Sequence, residues 1–337
     1  MRIATNQLYN FNINNMQNAY NNIAKLQQQI SSGKKISLIK EDVDAGSKIV
    51  TINNKIIQNN NYKNNITNTQ QNFNLSDTTL KQANNLLQQI RNLVLGLGNG
   101  DIVPEDCTNA ANQITDIMDD LLNLANTQDE FGNFIFGGNN NKVPYIKDIS
   151  GNIIYQGSKE NNQVKLNDNL TINNKENAFN IFETSNCFNN LTVLKNKLLN
   201  INNELSHHNI IDDIKDSIKD SINNGIKNIN NDKKPETAAI KEIKKYALDT
   251  GLKNIDKAMS NVTNIRTNIG IKLNTLDNCL ADNIDYDIYL QNNLSKLQDT
   301  DPLYAMSKLE LTKTIFEASQ MSFIKMMNTN LLNKISI

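Results

Sequence analysis

Charge and apolar side chains are both scarce in this 337-residue chain, at 20% and 38% of positions, below ordinary globular usage. Neither sign of charge dominates. A net charge of −1 argues against nucleic acid as a partner, because a phosphate backbone calls for a basic face. No apolar run approaches the roughly 18 residues of a membrane span, so no membrane insertion is expected. The opening Met1-Arg2-Ile3-Ala4-Thr5-Asn6 has neither the apolar core nor the small-residue cleavage site of a secretory signal. The expectation is cytosolic residence, or export by a route that reads no cleavable signal peptide.

Cysteine and histidine are scarcer still, with three and two residues. Cys107, Cys187 and Cys279 show no metal or redox spacing. Cys107 falls on the apolar period Cys107, Ala110, Ile114, Ile117, Leu121, Leu124 and reads as a small core residue. Cys187 and Cys279 read as reduced thiols without a chemical role. His207-His208 has no third ligand at useful spacing, so no metal site is expected. Gly96-Leu97-Gly98-Asn99-Gly100 follows a helical pattern rather than a strand and lacks the lysine and hydroxyl of a phosphate loop. Helix termination accounts for it. Carboxylates are scattered, with no paired site beside a nucleophile. The chain reads as a protein with no cofactor and no catalytic constellation, not as an enzyme.

What is abundant is asparagine, in runs such as Asn59-Asn60-Asn61 and Asn139-Asn140-Asn141. AT-biased coding is the simplest source of these runs. Each Asn is about 0.5–0.7 kcal/mol worse than Ala in a helix, so Asn-rich helices depend on neighbours for stability.

Helices are nevertheless what the apolar spacing specifies. Ile66, Phe73, Leu80, Leu87 and Val94 repeat every seven residues, with Ala83, Ile90 and Leu97 between them. In the second half Ile255, Val262, Ile269, Leu276, Leu290 and Leu297 repeat likewise, with Leu252, Met259, Leu273, Leu280 and Leu294 interleaved. Stripes sustained over several heptads belong to long helices packed nearly parallel. Neither can be buried by its own helix, so each is the natural cover for the other. The expected fold is mainly α, an elongated rod of long antiparallel coiled-coil-like helices from both chain ends with a small β-rich insertion. The expected rod core is Ile66, Phe73, Leu80, Leu87, Ile90, Val94, Ile114, Leu121, Val262, Ile269, Leu273 and Leu276.

Four regions follow. Residues 1–40 and 300–337 form a terminal-helix domain, and 41–128 with 240–299 form the rod. Residues 129–205 form the β-rich insertion with a covering helix, and 206–239 a polar helical excursion and linker. Gly33 suits the position just past the first helix, Asp42 or Asp44 can cap the second, and Pro104 and Pro302 suit first helical positions. Val143–Gly157 reads as a hairpin. On the terminal helices Met16, Ala19, Ile23, Leu26 and Ile30 form one stripe, while Leu309, Leu311, Ile315, Phe316, Phe323 and Met326 spread over more than one face. A helix apolar around much of its girth needs several neighbours. These residues are therefore the expected assembly interface, covered by other copies, and the ends are expected to order fully only on assembly.

Several stretches resemble the flagellin family of bacterial axial proteins, within it the branch that joins hook to filament. They are Met1–Tyr9; Ile30-Ser31-Ser32-Gly33-Lys34-Lys35-Ile36 followed by Glu41-Asp42-Val43-Asp44-Ala45; and Leu124-Ala125-Asn126-Thr127 running into Gly132-Asn133-Phe134-Ile135-Phe136-Gly137-Gly138. Val143-Pro144-Tyr145 with Gly151-Asn152-Ile153-Ile154-Tyr155-Gln156-Gly157 is the most branch-specific match. Val262–Gly270 and Asn274–Asp277 resemble the family's carboxyl-terminal domain. The resemblance implies a structural junction adaptor of the flagellum, exported unfolded by the flagellar type III system and assembled as a ring. It implies as partners other copies of the chain, a hook-side junction protein, flagellin or another filament-side protein, and an export chaperone. Filament flagellin is the alternative within the family, and a cytosolic coiled-coil signalling or scaffold rod the alternative outside it.

Overall fold

The computed structural model describes residues 2–36, 42–98, 104–149, 151–200 and 236–335. Of the expected polar excursion at 206–239, residues 206–235, with His207 and His208, lie outside the described residues, and residues 236–239 are helical. The helical stretches are α1 (Arg2–Ser32), α2 (Val43–Gly98), α3 (Pro104–Ala125), α4 (residues 187–200), α5 (Glu236–Gln298) and α6 (Pro302–Ile335). Four strands of three residues each, β1 (Tyr145–Lys147), β2 (Ile153–Tyr155), β3 (Gln163–Lys165) and β4 (Thr171–Asn173), lie between α3 and α4. The protein is mainly helical with a small strand-bearing insertion. It divides into two compact units, one of Met1–Asn61 with Asp282–Ile337 and the other of Tyr62–Ala281. This division falls inside α2 and α5, whereas the sequence bounds near 40 and 300 follow helix breaks.

Helix ends are set by local chemistry. Gly33 adopts φ +69° just past α1, a left-handed conformation that suits glycine. The turn that follows is tied to the α5–α6 junction, where the Lys35 amide donates to the Gln298 carbonyl (2.6 Å) and the Thr300 amide to the Gly33 carbonyl (2.9 Å). Asp42 caps α2, accepting the Ala45 amide at 3.0 Å. Asp301 caps α6, accepting the amides of Leu303 and Tyr304 at 2.9 and 3.2 Å. Each cap satisfies amides that the first helical turn leaves unpaired, worth about 1 kcal/mol.

In the Tyr62–Ala281 unit the two heptad stripes share one core. Ile66, Phe73, Leu80, Leu87, Ile90 and Val94 of α2, Ile114 and Leu121 of α3, and Val262, Ile269 and Leu276 of α5 are at most 2% exposed. Leu273 is partly buried against them. Polar side chains flank the seam in register. Gln70 donates to Asp277 (2.7 Å), Arg266 donates to both carboxylate oxygens of Asp77 (2.8 and 3.2 Å), and Arg91 reaches Asp256 at 2.7 Å. As one helix advances the other recedes, so the pair is antiparallel. A two-pronged Arg–carboxylate pair adds geometric specificity that a single contact lacks.

The strands pair as two separate hairpins rather than one sheet. Tyr145 faces Tyr155 in the first, and Val164 faces Ile172 in the second. Three-residue strands have little stability alone, and side-chain packing supplies it. Tyr145, 1% exposed, lies 4.8 Å from Phe188 of α4, 5.2 Å from Tyr155 and 6.3 Å from Phe182, centroid to centroid. Phe179 to Glu183 form a π-helical turn beside them. Asn126, at the end of α3, acts as a surrogate strand for Tyr145. Its side chain donates to the Tyr145 carbonyl (2.8 Å) and accepts the Tyr145 amide (3.0 Å). Gly138, at φ +69°, admits no side chain, since a Cβ would stand 2.7 Å from the carbonyls of Ser158 and Glu160.

The insertion is pinned to the seam helices by polar contacts. Asn261 of α5 donates to the carbonyls of Asn180 and Ile181 (2.8 and 2.6 Å), and Asn65 of α2 to that of Lys165 (3.0 Å). Glu176, 7% exposed at its side chain, pairs with Lys272, whose ammonium also stands 5.3 Å from the Phe73 ring centroid.

Burial raises three titrating groups, the phenols of Tyr145 and Tyr155 and the thiol of Cys187. It pushes the Tyr145 phenol up, reinforced by the adjacent Glu183 carboxylate, and pushes the Cys187 thiol up to about 12 with the same carboxylate contributing. Cys107, Cys187 and Cys279 are all buried and form no disulfide. Asp129 behaves oppositely. Burial alone would raise it, but hydrogen bonds from Asn133 and the Phe131 amide, with the charge of Lys175, hold it below its ordinary 3.8. A depressed carboxylate contributes stability that is present above its unfolded value and lost as pH falls through the folded one. Acidification from about pH 5 to about pH 2 should therefore destabilise the native chain more than Asp129→Asn, measured by urea unfolding at each pH.

In the unit of the chain ends, where α2 and α5 also pair, the heptad position is polar. Asn59 and Asn283, seven residues before Ile66 and after Leu276, are 2% and 6% exposed. Asn59 Nδ2 donates to the Asn283 carbonyl at 2.7 Å, while its Oδ1 is buried with no hydrogen-bond partner among the described residues. Such a layer trades stability for a defined register. Asn59→Leu should raise the unfolding free energy by about 1 kcal/mol, since a buried unsatisfied oxygen costs that much or more. An unchanged or lowered Tm would contradict this.

Candidate assembly surfaces

The unit of the chain ends is built on the pairing of α1 with α6. Tyr9 stands 5.3 Å from Phe323 and Tyr20 6.3 Å from Phe316, centroid to centroid. The Asn12 amide reaches the Met326 sulfur at 3.8 Å. The helices run antiparallel. Met16, Ala19, Ile23 and Ile30 are half-buried on the α1 face of this seam, and Leu26 is 8% exposed. Opposite them Leu309, Phe316, Phe323 and Met326 are half-buried on α6. Most of the interface residues chosen from sequence are thus engaged within one chain.

Leu311 and Ile315 are placed differently. They stand on the outer side of α6 at 61% and 52% exposure. The sequence reading missed further exposed apolar side chains: Leu303, Tyr304, Met306, Met321 and Ile324 of α6 are all more than half exposed, as are Phe11 and Tyr20 of α1. The available signal was the spread of apolar residues over more than one face of α6. Exposed apolar side chains in this number on one helix suit an interaction surface.

Among the described residues no group of three or more His, Cys, Asp or Glu side chains could hold a metal ion, and no helix is long and apolar enough to cross a membrane. The candidate site is the pair of terminal helices with the exposed apolar side chains of α6, an arrangement suited to packing against other protein. Comparison with known proteins makes that specific. The bacterial flagellin N-terminal helical region matches residues 3–141, and the flagellin C-terminal helical region matches residues 252–335, together more than half of the chain. The chain belongs to the bacterial flagellin family.

Over 331 residues the chain is 24% identical to flagellar hook-associated protein 3 of Escherichia coli (strain K12), and equally to that of Salmonella typhimurium, covering 98% of each chain in both cases. Its fold resembles that of flagellar hook-associated protein 3 from Legionella pneumophila, with TM-score 0.58 and 15% identity over 74% of this chain and 98% of the other. It also resembles FlgL of Xanthomonas campestris, with TM-score 0.54 and 15% identity over 72% and 98%.

The two kinds of terminal residue should separate on mutation. Phe323→Ala, on the α1–α6 seam, should lower stability by about 1–2 kcal/mol, as expected for a half-buried ring. Leu311→Ala should stay within about 0.5 kcal/mol of the parent. Chemical denaturation of the full chain, followed by helical circular dichroism, distinguishes them.

Proposed function

We propose that this chain is the structural adaptor joining the flagellar hook to the filament, exported unfolded by the flagellar type III system and assembled as a ring. The observation that carries the reading is the outer apolar face of α6, around Leu311 and Ile315, on a chain similar over nearly its whole length to hook-associated protein 3. Exposed apolar side chains in this number on one helix are costly to leave in water and are best covered by neighbouring copies. A head-to-tail contact between non-identical surfaces generates the rings and helical lattices such a part must enter.

The remaining partners are a hook-side junction protein, flagellin or another filament-side protein, and an export chaperone that shields the terminal helices before secretion. The role is mechanical rather than enzymatic: paired helices transmit load between two tubular lattices. A chain without disulfide cross-links can be threaded unfolded and can refold where it is deposited. The thin cover of the α1–α6 seam suits ends that tighten only when neighbours arrive.

Immunogold electron microscopy of isolated hook structures tests the placement. Label should gather at the distal end of the hook, and the chain should reach the culture supernatant only when the flagellar export gate is intact. Label along the filament would identify a flagellin instead, and wholly cytosolic chain a scaffold rod. A Leu311→Asp, Ile315→Asp double variant should still be exported but fail to join the hook, because an unpaired charge in a packed interface costs several kcal/mol. Normal junctions built from that variant would exclude this face as the contact.

A further inference from the structure

A second pair of surfaces, away from the α1–α6 seam, is matched in charge and chemistry. In the unit of the chain ends, α2 and α5 enclose a groove of roughly 540 Å³ lined by Lys48, Lys55 and Lys296 with Tyr286 and Tyr289, and no carboxylate lines it. The tyrosine rings stack 6.2 Å apart and are 40% and 61% exposed. None of the three lysines forms an ion pair among the described residues. Asp44 and Asp287 flank the groove on the same helices, and Asp287 accepts a hydrogen bond from Gln291. Rigid aromatic rings beside unneutralised cations favour an occupant that brings carboxylates and some apolar surface.

The other unit carries a surface of that description. α3 is the one helix among those described that lacks any Lys or Arg, yet it holds Glu105, Asp106, Asp116, Asp119 and Asp120. Lys147 neutralises Asp119 at 2.7 Å. Glu105, Asp106, Asp116 and Asp120 are exposed and form no ion pair among the described residues. The neighbouring stretch of α2 gives no relief: from residue 82 to 98 its only cation is Arg91, which is engaged with Asp256. Half-buried Ile117 lies in the same cleft as Asp106.

We propose that the lysine–tyrosine groove of one copy receives the acidic face of α3 from a second copy. The partner is another molecule of this chain because both surfaces occur on every copy, are opposite in charge, and carry charges that form no ion pair among the described residues. The two patches differ, so the contact is heterologous and repeats from copy to copy around a ring or along a helix. It rests on the assembly reading above, and it names which surfaces meet. Being largely ionic at its rim, the contact weakens as salt shortens the screening length to about 8 Å at physiological ionic strength.

Directed disulfide trapping with the full chain tests this. Thr51 lines the groove and Gln113 lies on the exposed α3 face. When Thr51→Cys and Gln113→Cys chains are mixed under oxidation, the mixed dimer should form in clear preference to either like pair. Adding Lys48→Glu and Lys55→Glu to the groove chain should cut its yield by about tenfold. Asp106→Lys and Asp116→Lys on the other chain should then restore it. No preference for the mixed pair, or a yield unaffected by reversal and rescue, overturns the proposal. Circular dichroism of each variant excludes misfolding as the cause of a loss. Hook-tip labelling is scored separately, so failed trapping with correct labelling rejects only this contact.

Discussion

Everything in the middle of this protein follows from two apolar stripes that cannot be left in water. Phe73, Leu80, Leu87 and their heptad neighbours on α2 are covered by Val262, Ile269 and Leu276 of α5, segments nearly two hundred residues away in sequence. Fully burying one such side chain contributes about 1.5–3 kcal/mol. An Asn-rich helix with weak intrinsic propensity needs that contribution. The seam therefore forms the helices as much as it joins them.

The polar contacts select among the arrangements that burial alone would allow. A smooth heptad stripe can slip by a turn at little cost. The two-pronged Arg266–Asp77 pair, the Arg91–Asp256 pair and the buried Asn59–Asn283 layer each fit one register. The insertion is fixed by the same economy: its hairpins are too short to stand alone, so aromatic packing around Tyr145 and the pins from Asn65, Asn261 and Lys272 hold it. Asparagine thus supplies several of the hydrogen bonds that specify the fold.

Much of this was legible in the sequence because period-seven spacing reports burial directly. The capping and breaking residues Gly33, Asp42, Pro104 and Pro302 marked helix ends for reasons of local chemistry alone. Less legible was the insertion, where a second hairpin and a π-helical turn accompany the hairpin read from the sequence. Three-residue strands carry too few residues to show which edges pair. The terminal helices were ambiguous for another reason. An apolar stripe states that it must be covered, but not whether the cover is the same chain or another. Met16, Ile23 and Phe323 turn inward to the α1–α6 seam, while Leu311 and Ile315 face out. The lysine–tyrosine groove left no sequence signal, because its residues come from helices far apart in the chain.

The flagellin-family relation and the surfaces agree on one picture, in which the middle of the chain completes its own core and the ends are only partly covered. Hydrogen–deuterium exchange on the isolated full chain, with and without Phe73→Ala, measures the seam most directly. The account predicts that amides of α2 from 66 to 94 and of α5 from 255 to 276 are the best protected, and that the variant weakens both segments together. Protection of α5 that survives while α2 opens would contradict it.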